Sequence, residues 1–334
     1  MTKRTISMML AGVLALGVLA GCGSKPKDTY TKDQAPKAEA PKLAKLRIGQ
    51  MPTVDGLPFW VAEKNGYFKN AGLDVELITF NSPNERDAAI VSGDLDGALT
   101  DPISTATLVA SGTKVKITSL GLGATQAEGP MAIVASPKSN IKSVEDLKGV
   151  EIAISNGSVI NYVTDKLLQE NGFKPEEIKT TNVPQIPLRL QLLADGQLKA
   201  ATLPDPFASL AAKEGARIIL SDAKAKQNYS LSVIIFNEKA IAEKAASLKT
   251  FFAAYNMAVA DLQAQPDKYM DVMITNAKLD PKVKDAYKIV PPSFAQAPKK
   301  EDLESVVQWL VDKKIIANKL TYEQLVDDHL LPKK

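Results

Sequence analysis

From position 46 onward, short alternating apolar runs trade places with segments of helical spacing. Leu46-Arg47-Ile48-Gly49-Gln50-Met51 alternates as a half-buried strand. Pro52 to Gly56 reads as a loop. Leu57 to Lys64 reads as a helix that tolerates Pro58 in its first turn and ends at Asn65-Gly66. A second strand spans Leu73 to Phe80, and Asn81-Ser82-Pro83 then caps a helix over Asn84 to Val91. A strand at Gly97 to Thr100, a helix from Asp101-Pro102 to Val109 and a strand over Val115 to Leu120 follow. After a strand over Met131 to Ala135, Ser143-Val144-Glu145-Asp146 opens a short helix that Gly149 closes.

The pattern then restarts. Strands are predicted at Glu151 to Ser155, Thr180 to Val183, Ala200 to Leu203 and Arg217 to Leu220. Between them lie helices at Ile160 to Asn171, Pro187 to Leu193 and Phe207 to Lys213. Arg86, Gly93, Leu95, Ala98 and Gly112 match Arg189, Gly196, Leu198, Ala201 and Gly215, each pair 103 positions apart. A repeated helix-Gly-x-Leu-strand unit predicts two similar lobes. Strand and helix alternating through short links predict an α/β fold with an open sheet in each Rossmann-like lobe. Ser230 to Phe236 is a late apolar strand placed to cross back to the first lobe. The remainder reads as helical over 240–243, 247–265, 266–276, 281–288 and 300–313. In the last of these, Leu303, Val306, Val307 and Leu310 share one face. Trp309 lies off that stripe, either packed on the first lobe or partly exposed.

The front of the chain has a different pattern. Lys3 and Arg4 precede an apolar run from Ile6 to Ala20, then small residues before Cys22. That is the plan of a secretory leader. The run is shorter than the roughly 20 apolar residues that a comfortable membrane span needs. Leu19-Ala20-Gly21-Cys22 resembles the bacterial lipobox, which implies that Cys22 is diacylated and becomes the mature N-terminus. An ordinary leader with a chance Cys at the cut is the alternative. Residues 23 to 45, rich in Lys, Pro, Ala and Gln, lack the apolar content to fold and read as a tether.

Charge and rare residues then narrow the chemistry. The net charge is +3. Removing Lys3 and Arg4 with the leader lowers it to +1. Six Lys against Asp28, Asp33 and Glu39 put a further +3 in the tether, which leaves the folded body at −2. A body of that sign offers no basic face for nucleic acid. The single Cys would be consumed by lipid, which would leave no thiol for catalysis, a disulfide or a metal. The single His, His329, sits in the tail, so triad chemistry and His-based metal sites lack their parts. Neither a cofactor nor a metal is expected. With 334 residues the chain exceeds a single ordinary core, in keeping with two lobes.

Open α/β sheets bind ligands beyond the carboxyl ends of their strands. The loops at those ends supply Thr53, Asp55, Leu57 and Trp60, then Ser82, Asn84 and Glu85, then Thr100 and Asp101. The second lobe supplies Asn156, Gly157, Ser158 and Val159, then Gln185, then Asp205. Such polar groups can hydrogen-bond a solute, and the helix N-termini there favour an anionic one. Ser82, Asn84, Asp101, Ser158 and Asp205 are equally good helix caps. Trp60 fits a core position as well as a cleft wall.

Several stretches resemble the solute-binding proteins of ABC importers for nitrate, taurine, alkanesulfonates and thiamine pyrimidine precursors. They are Leu46 to Gly49, Gly56 to Ala62, Gly66-Tyr67-Phe68 before Gly72-Leu73-Asp74-Val75, Gly93 to Ala98, Ser143 to Gly149 and Pro204 to Phe207. The resemblance implies a type II periplasmic-binding fold: two lobes joined by two crossing strands and closing on a solute. It places the crossings near 124–135 and 228–236, with 46–130 plus 235–334 as one lobe and 131–234 as the other. It also implies ABC permease subunits as partners, a lipid-held extracytoplasmic location and a monomer. Asp55, Glu85, Asp101 and Asp205 at the mouth oppose a bare anion and suit an amine or an NH-rich heterocycle, so a zwitterion or pyrimidine-like solute fits both signals. Two rivals remain: a sensor or adhesin module, and a pyrimidine-synthase-like enzyme, which would lack its histidine donor.

Overall fold

Among the described residues, 43–332, of this computed structural model, ten strands build two five-stranded sheets of one design. In chain order they are β1 (Leu46–Gln50), β2 (Val75–Thr79), β3 (Gly97–Thr100), β4 (Val115–Leu122) and β5 (Met131–Ala135). Then come β6 (Glu151–Ile154), β7 (Lys179–Asn182), β8 (Ala200–Pro204), β9 (Arg217–Ser221) and β10 (Ser232–Asn237). The first sheet runs β2-β1-β3-β10-β4 and the second β7-β6-β8-β5-β9. In each, three parallel strands lie at one side, and the fourth place is taken by an antiparallel strand arriving from a crossing segment.

Parallel neighbours need long crossovers, and helices provide them. The first sheet carries α1 (Leu57–Lys64), α2 (Tyr67–Asn70), α3 (Pro83–Val91) and α4 (Pro102–Ala110). The second carries α5 (Val159–Glu170), α6 (Ile186–Ala194) and α7 (Phe207–Lys213). The C-terminal part forms α8 (Glu238–Glu243), α9 (Ala245–Ala264), α10 (Met270–Ala277), α11 (Lys300–Asp312) and α12 (Tyr322–Leu325). Phe251 and Phe252 of α9 pack with Phe59, Phe68 and Phe236 in an aromatic cluster under the first sheet. No helix among the described residues is long and apolar enough to cross a membrane.

The repeat read in the sequence is a repeat in three dimensions. Both ends of α6 lie 103 positions after those of α3. Buried Arg86 and Arg189 each reach a carbonyl 13 residues on, Leu99 O at 3.3 Å and Thr202 O at 2.7 Å. Gly93 and Gly196 take φ of 82° and 78° just after these helices, a region open to Gly without a Cβ penalty.

Two crossing segments, 123–130 and 222–231, join the sheets, and each is held by a buried carboxylate. Glu128 accepts from Gly123 N–H at 2.9 Å, Thr125 Oγ1 at 3.0 Å and Ser293 Oγ at 2.7 Å. Asp222 accepts from the N–H groups of Tyr229 and Ser230, both at 3.0 Å. The segments are also laced together, by Gln126 Nε2 to Asp222 O at 2.8 Å and Asn228 Nδ2 to Thr125 O at 2.9 Å. A Cβ on Gly129 would stand 2.9 Å from Ala223 N, so only glycine lets them approach this closely.

Several expectations change, among them the short helix over Ser143 to Gly149, which is a 3-10 turn at Glu145–Leu147. β10 pairs along its whole length within the first sheet, so the lobe boundary expected at 234/235 falls inside a strand. The helix expected over 281–288 is a 3-10 turn at Pro281–Asp285. The tether was expected to reach 45. Yet Leu43 packs on the core and Ala44 N–H donates to Ser247 Oγ at 2.8 Å. The leader (1–21), Cys22 and the tether as far as 42 lie outside the described residues. Trp309 is buried, and it faces α5 of the second lobe: its Nε1–H donates to Asp165 Oδ2 at 3.0 Å. Lys313 Nζ joins the same carboxylate at 2.7 Å, and Tyr162 and Ser305 share a hydroxyl bond at 3.0 Å. Through these contacts α11, which packs on α4, clasps the second lobe.

Candidate functional site

The carboxyl ends of β1, β3 and β8 and the first turn of α5 converge on a cleft of about 530 Å³, mouth included. The first lobe contributes Thr53, Asp55, Arg86, Thr100 and Asp101. The second contributes Val159, Ile160, Ile186 and Asp205, and the crossings with the strand ends that flank them add Leu122, Met131, Ser230 and Ser232.

The polar groups come from short, well-defined local structures. Asp101 precedes Pro102 and caps α4, with Oδ1 accepting from Ser104 N–H at 2.8 Å and Oδ2 from Ser104 Oγ at 3.2 Å. Asp55 sits in a 3-10 turn before α1 and accepts from Thr53 Oγ1 at 2.6 Å. Asp205 Oδ1 accepts from Ser209 N–H and Oγ at 3.0 and 2.7 Å, which leaves Oδ2 without a hydrogen bond among the described residues. Thr100 Oγ1 and Ser232 Oγ are buried without a partner among them. Buried polar atoms are nearly always paired, so two unpartnered hydroxyls in one cleft leave bonding capacity there for a ligand.

Burial pushes the carboxyls of Asp55 and Asp205 up. It pushes Asp101 up to about 6, against the opposing pull of the Arg86 guanidinium. Arg86 itself is spoken for. Its Nε and Nη2 lie on Asp87 at 2.9 and 2.8 Å, Nη1 is on Leu99 O, and Nη2 is also on Ser104 Oγ at 3.3 Å. The cleft thus offers acceptors and orphaned hydroxyls, with its one guanidinium already matched. A unit anion held about 6 Å from one ionised carboxylate meets roughly 3 kcal/mol of repulsion at an effective dielectric constant of about 20. A ligand with N–H donors or positive charge meets the opposite sign.

Of the residues read from the sequence, Asp55, Thr100, Asp101, Val159 and Asp205 line the cleft, as does Thr53. Leu57 and Trp60 do not: both are packed in the core, because nearly every side chain of α1 is turned inward. Ser82 accepts from Glu85 N–H as the cap of α3. Ser158 Oγ donates to Ser155 O at 2.9 Å and accepts from Ile160 N–H. Both serines serve as helix caps, and neither lines the cleft. Asn84 and Asn156 are exposed. Glu85 and Gln185 form the rim, bonded to each other from α3 to the start of α6 at 3.4 Å. Arg86 and the residues at and beside the crossings, Leu122, Met131, Ser230 and Ser232, were missed. Arg86 carried a signal as one half of the repeated arginine pair. The crossings looked like connectors, and their part as the floor of the cleft has no local signature.

A family model described as NMT1/THI5 like matches residues 54–269. The chain belongs to the NMT1/THI5-like family. Among related sequences is the "Putative aliphatic sulfonates-binding protein" of Bacillus subtilis (strain 168), 23% identical over 276 residues, or 81% of this chain and 78% of the relative. Among solved structures, the alkanesulfonate-binding protein SsuA from Xanthomonas axonopodis pv. citri, bound to MOPS, superposes with a TM-score of 0.74 at 18% identity. The match covers 86% of this chain and 99% of that one. The periplasmic nitrate-binding protein NrtA from Synechocystis PCC 6803 gives 0.71 at 12% identity, over 87% and 88% of the two chains. This member of the NMT1/THI5-like family therefore has the two-lobed α/β fold of periplasmic solute-binding proteins.

Proposed function

We propose that this NMT1/THI5-like chain is the extracytoplasmic solute receptor of an ABC importer, working as a lipid-anchored monomer. The observation that carries the reading is the cleft itself: two copies of one lobe face each other across it, and both crossings form its floor. The lobes are taken as 46–122 with 232–332, and 131–221, with the crossings 123–130 and 222–231 as hinges. Closure is a hinge motion, and a ligand favours the closed state by as much as it binds that state better. Cys22, as the acylated N-terminus, holds the body at the membrane, and the tether gives it reach to a permease.

The solute is a small organic molecule that presents N–H donors, such as an amine, amidine or amino-heterocycle, to Asp55, Asp101 and Asp205. A sulfonate or nitrate is the second reading, favoured by the printed names of the relatives and opposed by the three carboxyls. A thermal-shift and native mass-spectrometry screen of amines, aminopyrimidines, vitamins, sulfonates and nitrate tests this. An N–H-rich ligand well above its Kd raises Tm by mass action, and Asp101→Asn shrinks the shift. A shift with sulfonate that Asp101→Asn leaves intact would reverse the assignment.

A further inference from the structure

The cleft does not end at its polar head. A second cavity, of about 560 Å³ with its mouth, adjoins it on the hinge side. Val54, Leu122, Pro130, Met131 and Asp205 line both spaces. Beyond those five, its walls are mostly small and apolar: Gly129, Ala132, Ala208, Val290 and the buried ring of Tyr287. Glu128 borders it, but its carboxylate is held by Gly123, Thr125 and Ser293. At the outer rim stand Ala127, Ala223 and Ile218. Ile218 is 47% exposed on the edge strand β9, among the few large apolar side chains so exposed. This apolar rim and the small apolar walls behind it adjoin the polar cleft across five shared residues.

We infer that the ligand is bipartite, with an N–H-bearing head among Asp55, Asp101 and Asp205 and an apolar arm that passes Leu122 and Met131 into the hinge-side cavity toward Ile218. The inference rests on the head-group reading given above and adds the shape of the rest of the molecule. A solute with only a compact polar head would leave the apolar walls wet. A solute with an arm strips water from them, and the arm lies between the two crossings where the lobes turn. Leu122, Met131 and Ile218 then set specificity for arm length, while the acids set specificity for the head.

Calorimetric titration of the mature protein with acetamidine, butanamidine and hexanamidine tests this. Each carries the same planar amidinium head on an alkyl chain of different length. In the wild type, affinity rises with chain length, by up to about fourfold per added methylene. Ala127→Trp fills the rim and Ile218→Asn makes it polar; both positions are exposed, so both variants fold. Each variant flattens the length dependence. Equal affinity for all three amidines in the wild type, or an undiminished slope in both variants, overturns the arm while the head reading stands. Failure of every amidine to bind overturns the head reading and the arm with it.

Discussion

Arg86 and Arg189 hold the same place in the two halves, yet they are used differently. Arg189 is sealed in its lobe. Its guanidinium donates to the carbonyls of Val183 and Thr202 and to Ser155 Oγ at 2.8, 2.7 and 2.6 Å, with no carboxylate paired to it among the described residues. Burial without a counter-charge pushes it down to about 9. Arg86 keeps the equivalent carbonyl bond but pairs with Asp87 and borders the cleft, where it steadies Asp101. One copy of the repeated arginine ties a helix to a sheet; the other does that and also tunes a carboxyl of the cleft. A duplicated scaffold can thus hold its fold with one half while the other half specialises.

The comparison predicts its own tests. Arg189→Met strands two buried carbonyls and a hydroxyl, and costs about 3–5 kcal/mol of stability by chemical denaturation. Ligand affinity of the folded fraction stays at the wild-type level. A large loss of affinity would show that Arg189 is not confined to scaffolding.

Asp101→Asn preserves the cap, since the amide oxygen still accepts from Ser104 N–H, and removes only the charge. Charge-assisted bonds contribute about 1.5–3 kcal/mol, so binding of a cationic ligand at pH 7.5 weakens by roughly ten- to a hundredfold in a titration.

Arg86→Met acts on the pH profile. The folded Asp101 carboxyl titrates near 6, above its ordinary value, so in the empty protein this group destabilises the fold as pH rises from about 4 through 6. The same group gains a cation's attraction over that window, so affinity climbs with pH and levels off above it. Without the guanidinium the midpoint moves to higher pH, whereas Arg189→Met leaves it in place. Binding isotherms from pH 5 to 8 read both curves.

The smallest effect belongs to the clasp. Trp309→Phe removes the Nε1–H bond but leaves Lys313 on Asp165, and it lowers stability by about 1 kcal/mol in denaturant. A loss several times larger would make α11 a principal tie between the lobes.

These contrasts also mark what the sequence could reveal. β3, β5 and α7 fall where alternation and helical spacing place them, because each is bounded by Gly, Pro or a cap. The repeat was legible through glycines that end helices at positive φ and through the arginine pair. Asp55, Asp101 and Asp205 were legible because strand ends in α/β sheets point ligands at the loops that follow. Leu57 and Trp60 misled because a place on the helix just beyond a strand end says nothing of the direction a side chain takes. The cleft floor at Leu122, Met131, Ser230 and Ser232 was hidden, since it forms only when two segments about a hundred positions apart are laced together. Trp309 sits off the apolar stripe of α11 because its partner is a carboxylate on the other lobe.

The central claim is that buried carboxyls select a donor of N–H bonds, and the sign of the protons exchanged on binding tests it most directly. Calorimetry of the mature protein at pH 6, in two buffers of different ionisation enthalpy, reads that sign for acetamidine and for an alkanesulfonate. The account predicts that the amidine binds with release of protons as Asp101 ionises beside it, and that the sulfonate gives no heat. Sulfonate binding with proton uptake, and none by the amidine, would contradict it.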